Sequence, residues 1–196
     1  YTGWYTLSLH DALPIFSSVG YNSVLLLNLP PDKRGLIHEN DVRRLREFRK
    51  VLDAIFDEDF AAGAKATASH VKGDNPAFAP GRITDGDPQT YWTTDDWTTA
   101  AAVEIDLGKE CTFNVAELSE YIEIGQRISE FSLEALTSSG WKEVARGTTV
   151  GYKRLFRFDP VTASKVRLRI LDARVCPTVS GLGLYFAPPI KDVLGQ

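Results

Sequence analysis

The chain has 196 residues, 43% of them hydrophobic and 24% charged, with 22 basic against 26 acidic side chains and a formal charge of −4. That is an ordinary globular composition with room for one domain and part of another. No basic stripe stands out, which argues against a nucleic-acid partner. The longest unbroken apolar run, Val24 to Leu27, is far too short to span a bilayer. The two cysteines, Cys111 and Cys176, lack the CxxC spacing of zinc and redox motifs and read as unpaired thiols.

The chain holds no methionine, and Thr6 to Ile15 (TLSLHDALPI) matches the translation of a common short-read sequencing adapter. Tyr1 to Ile15 is therefore expected to be foreign to the natural protein, so that Trp4, His10 and Asp11 carry no function. Removing Asp11 leaves 25 acidic side chains against 22 basic ones, and the charge conclusion stands. The expectation that follows is a natural gene extending further upstream, with any signal peptide lost from this fragment.

Residues 16–62 read as one β/α unit. Ser23 to Leu29 is a continuous apolar run closed by Pro30-Pro31. Alternation is missing, so both faces want burial, as in a central parallel strand. A water-facing placement of this run would count against that assignment. Gly35 marks a turn, and a helix is expected from about His38 to Asn40, with Asn40 as N-cap. Val42, Leu45, Phe48, Leu52, Ile55 and Phe56 form its apolar stripe. Its charges run basic first and acidic last (Asp57, Glu58, Asp59), against the helix dipole, so packing must hold it. One such unit cannot bury its own strand, and its sheet lies elsewhere.

The stretch VGYNSVLLLNLPPDKRGLIHENDVRRLREFRKVLDAIF resembles the end of the catalytic domain of glycoside hydrolase family 29, the α-L-fucosidases. The resemblance implies the last strand and helix of a (β/α)8-like barrel, in the subgroup acting on α-1,3/1,4-linked fucose. It also implies retaining hydrolysis by an aspartate nucleophile and a second carboxyl group that acts as acid and then base. Both lie upstream of this segment in the family, so no catalytic residue is expected here. Asp32, Glu39 and Asp41 read as loop and cap residues. Asn28 sits at the strand end where barrel enzymes place their sites, yet reads first as a structural hydrogen bonder.

After the small, featureless Ala61 to Ala64, period-two alternation takes over. Val103, Ile105 and Leu107 alternate with Glu104 and Asp106, as do Phe131, Leu133 and Ala135 with Ser132 and Glu134. Phe156 and Phe158 flank Arg157, and Val166, Leu168 and Ile170 alternate with Arg167 and Arg169. With turns expected at Gly108-Lys109, Ser139-Gly140 and Asp159-Pro160, this pattern predicts an antiparallel β-sandwich over 63–188 and a tail over 189–196.

The pieces ITDGDPQTYWTT, VEIDLGK, EYIEIGQRISEFSLEAL, GWKEVARGTTVGYKRLFRFDPVTASKVRLRI and SGLGLYFAP, in that order, resemble the coagulation factor 5/8 type C or discoidin domain, also known as carbohydrate-binding module family 32. The implied fold class is mainly β, a discoidin-like jelly-roll sandwich. Trp92 and Trp141 fall at core positions of the family. Trp97, in a loop-like segment, is the leading sugar-stacking candidate, followed by Tyr121 and Tyr152. Asp85-Gly86-Asp87 with Thr90 resembles the calcium loop of such modules. The backbone carbonyl of Arg82, with Asp85, Asp87 and Thr90, would supply part of a shell of six to eight oxygens. The acidic residue that often completes the shell is replaced here by Ser180-Gly181-Leu182-Gly183. The competing reading is a plain turn. Arg127 reads as a structural anchor, and the role of Arg174 is unreadable.

These resemblances imply an exported (periplasmic or extracellular) exo-α-L-fucosidase with no catalytic cofactor and no membrane span. Its partners would be fucosylated glycans and its own barrel, which the sandwich braces. The alternative is a stand-alone carbohydrate-binding or adhesion module of discoidin type. The complete alternating core predicts that residues 63–196 fold alone, whereas residues 16–196 carry the oily run before Pro30 and are less soluble. Sedimentation of the two purified chains after concentration checks this, and equal behaviour would count against a missing barrel.

Overall fold

The computed structural model describes residues 13–195. The reading of Tyr1 to Ile15 as foreign therefore falls almost entirely outside the described residues. Of that stretch only Leu13 to Ile15 are seen, opening a one-turn helix, α1 (Leu13–Ser17). A second helix, α2 (Glu39–Phe56), precedes seven strands: β1 (Lys65–Ala68), β2 (Trp92–Thr93), β3 (Ala101–Glu120), β4 (Ile128–Thr137), β5 (Gly140–Gly147), β6 (Arg154–Ala173) and β7 (Thr178–Tyr185). A short helix, α3 (Ile190–Leu194), follows.

The run Ser23 to Leu29 does not form the expected strand. It carries no regular secondary structure and makes no ladder with any described residue. Val24 and Leu26 are 89% and 90% exposed, while Leu25, Leu27 and Leu29 are half-buried. A strand's N–H and C=O groups need a neighbour, and the only nearby pairings are single bridges, Tyr21 to Arg154 and Pro31 to Ile37. The run therefore gives no support of its own to a buried parallel strand.

Helix α2 starts within the expected stretch, but its cap lies two residues earlier. His38, not Asn40, is the N-cap, its Nδ1 accepting from the Asn40 N–H at 3.1 Å. Asn40 lies inside the first turn, where its side-chain oxygen accepts from Arg43. Glu39 and Asp41 in that turn favour the dipole, partly offsetting the acidic end. Phe48, Val51 and Ile55 are buried against Phe16, Val115, Leu155 and Ala187. Phe56 meets Tyr185 edge-on at 5.0 Å. The stripe thus docks the helix on the sandwich. Ala61, expected in a featureless linker, is fully buried in the main core.

All strand pairs are antiparallel, in the order β2-β7-β3-β6-β4-β5, with β1 beside β3. Strands β3 and β6 each run twenty residues and pair along most of that length. The first half of β3 and second half of β6 carry β1, β4 and β5; the second half of β3 carries β7 and β2. These two long strands thus build both layers of a sandwich. Val103, Ile105, Phe131, Leu168, Leu184 and Trp92 meet in one core between them.

Two expected turns are instead irregularities inside these strands. Gly108, at φ +73°, lies where the β3–β6 register shifts between Asp106 and Cys111. Pro160, which has no N–H to donate, lies opposite the second shift, between Phe113 and Val115. The Ser139-Gly140 hairpin forms as expected. Trp92 is fully buried, its indole N–H donating to the His70 carbonyl at 2.9 Å. Trp141 is not a core residue. It stands half-buried at the start of the edge strand β5, with the Arg167 guanidinium 4.3 Å from its ring. Cys111 and Cys176 are free and buried.

On the outer face Glu134 accepts from Arg167 Nε at 2.8 Å and from Arg169 at 3.1 Å, and Glu104 lies 3.5 Å from Arg167. Burial pushes the Glu134 carboxyl up, but the two arginines outweigh it and hold its pKa below that of a free glutamate. Its stabilisation is then present above that value and lost as pH falls through the lower folded one. Glu134→Gln should cost about 1–3 kcal/mol at neutral pH, and thermal melts should show the gap from wild type closing on acidification. A gap that does not depend on pH would contradict the pairing.

Glu120, at the end of β3, is only 2% exposed. One carboxylate oxygen accepts from the Arg127 and Ile128 N–H groups at 2.7 and 2.9 Å, and the other from the Gly151 N–H at 2.7 Å. It thereby ties the 121–128 loop to the 148–153 loop. Burial raises its pKa while the three N–H donors pull the other way. Glu120→Ala strands three buried donors and should cost about 2–4 kcal/mol. Amide exchange at Arg127, Ile128 and Gly151 should accelerate before the core does, whereas unchanged exchange there would refute the clasp.

Candidate functional site

The loops that Glu120 joins form one side of a groove of about 440 Å³ across the ends of β3 and β7. Its floor has little side chain, being built from Ser119, Gly181 and Gly183. A Cβ at Gly183 would lie 2.5 Å from the Tyr185 hydroxyl and 2.8 Å from its ring, so a side chain there would have to displace that ring. Gly181 is different. Its backbone needs no left-handed conformation, and a Cβ would meet only Ser119, at 3.7 Å. A glycine inside a strand normally weakens it, so what this one provides is open space above the floor.

The walls mix charge and ring. Lys153 pairs with Glu117 at 2.6 Å, and the Tyr121 hydroxyl donates to Glu123 at 2.8 Å. Asp59 accepts from the Ala61 and Leu184 N–H groups at 2.8 and 2.9 Å, and burial pushes its carboxyl up. Burial, with the Asp59 and Glu117 charges, raises the Tyr185 phenol well above its ordinary range. Its hydroxyl is therefore a neutral donor, with no hydrogen-bond partner among the described residues. Asp59, Asp85, Glu117 and Glu123 outnumber Lys153 and make the groove acidic.

The three aromatic candidates do not converge. Tyr121 and Tyr152 both line the groove, and Tyr152 is 63% exposed. Tyr121 stacks on Tyr91 at 4.5 Å, which occupies one of its faces. Trp97 is elsewhere, on the 94–98 turn, at φ +70° and 83% exposed. That turn is stapled to the 72–74 turn by the Gly73 N–H donating to Asp95 at 2.8 Å and by Lys72 with Asp96 at 2.6 Å.

The candidate calcium residues form a turn closed by its own bonds. Asp85 accepts from the Asp87 N–H at 2.9 Å and the Thr90 hydroxyl at 2.7 Å, and Asp87 accepts from the Gln89 N–H. The Arg82 guanidinium lies 3.5 Å from Asp85. Among the described residues no group of three or more His, Cys, Asp or Glu side chains is arranged to hold a metal. The opposing Ser180 hydroxyl donates to the Ser119 carbonyl. In this arrangement the side chains of Asp85, Asp87 and Thr90 are engaged in closing the turn.

Arg127 is a structural anchor, donating to the Cys176 carbonyl at 3.1 Å, and the Arg174 N–H donates back to the Arg127 carbonyl. Asp32 closes the loop before α2 by accepting from the Arg34 N–H and Nε, and Arg34 also pairs with Glu39. Asp41 lies in the first turn of α2, and Asn28 is exposed. Sequence reasoning missed Glu120, Asp59, Tyr185 and the Glu117–Lys153 pair. The Gly181-x-Gly183 spacing within a strand was a usable signal of close approach, although it first read only as a lost calcium ligand.

Comparison with known proteins then places this geometry. Residues 82–168 match the family model described as a NedA-like, galactose-binding domain of the F5/F8 type C kind. The chain is similar to alpha-L-fucosidase 1 of Arabidopsis thaliana, at 38% identity over 174 residues, covering 87% of this chain and 34% of that protein. It spans about a third of the length of the curated relatives it matches. A GH29 fucosidase of Ruminococcus gnavus, solved in complex with fucose, superposes with a TM-score of 0.83 at 34% identity, over 92% of this chain and 37% of that one. A chitosan-binding module from a Paenibacillus chitosanase/glucanase shares the fold alone, with a TM-score of 0.58 at 22% identity, over 65% of this chain and 97% of that one. The chain is thus similar to α-L-fucosidases and to solved GH29 structures over most of its length, and its fold is a galactose-binding-like sandwich of the F5/F8 type C kind.

Proposed function

We propose that this chain is the C-terminal part of an exported exo-α-L-fucosidase that releases terminal α-1,3/1,4-linked fucose from glycans with retention. The observation that carries this is the length of the match. A similarity over 174 residues is longer than everything from Gly63 onward, so it reaches into the run and helix that precede the sandwich. Those residues dock rather than dangle. Asn22 donates to the Val150 carbonyl at 2.9 Å and accepts from the Lys153 N–H at 2.9 Å, and α2 lays its apolar stripe on Val115 and Leu155.

The catalytic nucleophile and acid/base belong to upstream residues, and the sandwich braces the barrel they stand on. The sandwich attaches at Tyr21 and Asn22, the beginning of the run before Pro30, and barrel enzymes work from the strands' other ends. Its own contribution is glycan capture at a distance from the reacting bond, which raises the local enzyme concentration. Purified chain incubated with an aryl α-L-fucoside should release no aryl alcohol above background. Turnover that scales with chain concentration would overturn the upstream placement of the carboxylates.

A further inference from the structure

We propose that residues 186–195 are a strap that locks α2 onto the sandwich, and that one buried amide, Asn114, sets the lock. The fucosidase reading is not needed for this, because every group involved belongs to this chain. Asn114 is buried and sits where the β3–β6 register breaks between Phe113 and Val115. Such a bulge re-aims a side chain. Here it sends the amide to Ala187, which is itself buried. The Asn114 Nδ2 donates to the Ala187 carbonyl at 3.0 Å, and its Oδ1 accepts from the Ala187 N–H at 2.6 Å. One side chain thus holds both backbone groups of a residue, as a neighbouring strand would. The bulge also stands on a border. Phe113 belongs to the core between the layers, whereas Val115 belongs to the cluster beneath α2.

Beyond the pin, Pro188 and Pro189 have fixed φ and carry the chain stiffly from Ala187 into α3. Val193 and Leu194 of α3 then pack against the cluster that contains Phe48, Val51 and Ile55 of α2. Helix α2 has no basic residue in its last turn and ends against Asp57, so it depends on cover. Its far end is tied to β7 as well, by the Phe60 N–H donating to the Leu184 carbonyl at 2.9 Å. That tie lies past the helix, whereas α3 packs on the helix itself. A helix that precedes the sandwich is therefore secured by residues that follow it, and the joint closes only around a completed sandwich.

The test is amide hydrogen exchange on the full chain, comparing wild type with Asn114→Ala and with the double variant Val193→Ser, Leu194→Ser. The amides of Phe48, Val51 and Ile55 should exchange at least about tenfold faster in both variants. Those of Val103, Leu133 and Leu168 in the sandwich core should stay within about twofold of wild type. If Asn114→Ala loosens the core as well, the double variant decides, because it leaves β3 untouched. Wild-type exchange in α2 of the double variant would overturn the strap, since the apolar stripe would then suffice. Equal acceleration of α2 and the core in the double variant would also overturn it, because helix and sandwich would open as one unit. Faster exchange in α2 of the double variant with none in Asn114→Ala would overturn the amide as the pin.

Discussion

The pairing of β3 with β6 is the constraint on which the rest of the structure depends. Two twenty-residue strands lie antiparallel and together serve both layers of the sandwich. The bends at Gly108 and Pro160 fall where the ladder is interrupted, so the change of layer costs few hydrogen bonds. Everything functional hangs from the ends of this pair. The end of β3 supplies Glu117, Ser119 and Glu120; the start of β6 receives the Tyr21 bridge; and β7, laid along β3, brings Gly181 and Gly183 to the groove floor.

Glu120 converts that frame into a site. Loops 121–128 and 148–153 are clasped by one buried carboxylate with three backbone donors. Such an arrangement is costly to bury but directional, and it sets the separation of Tyr121 and Tyr152 across the groove. The same physics works in reverse on the outer face, where Glu134 is held ionised by two arginines and stiffens the sheet without forming a site.

Much of the fold was legible because burial in a sandwich follows period two. Val103, Ile105, Phe131, Leu133, Val166, Leu168 and Ile170 are all in the core where alternation placed them. Trp141 escaped because the family position argued for burial, while its place on an edge strand leaves it half-buried with the Arg167 guanidinium over its ring. The turns at Gly108 and Pro160 escaped because glycine and proline mark an interrupted ladder as readily as a reversal. The run before Pro30 shows a different limit. Composition states that both faces want cover but cannot supply the neighbours, and Val24 and Leu26 face water. The site was least legible, since its key groups are a strand-end carboxylate, one of whose donors is Gly151, and Gly181, which faces Ser119 from another strand, and neither pairing shows in a local pattern.

The likeness to α-L-fucosidases rests on the comparisons, and the proposal that this chain is part of a longer enzyme makes a claim about what precedes Phe16. Sequencing the genomic DNA upstream of the Phe16 codon tests this most directly. The account predicts an uninterrupted reading frame encoding further strand–helix units, with the two catalytic carboxylates on them. A start codon or a secretion signal directly before Phe16 would contradict it.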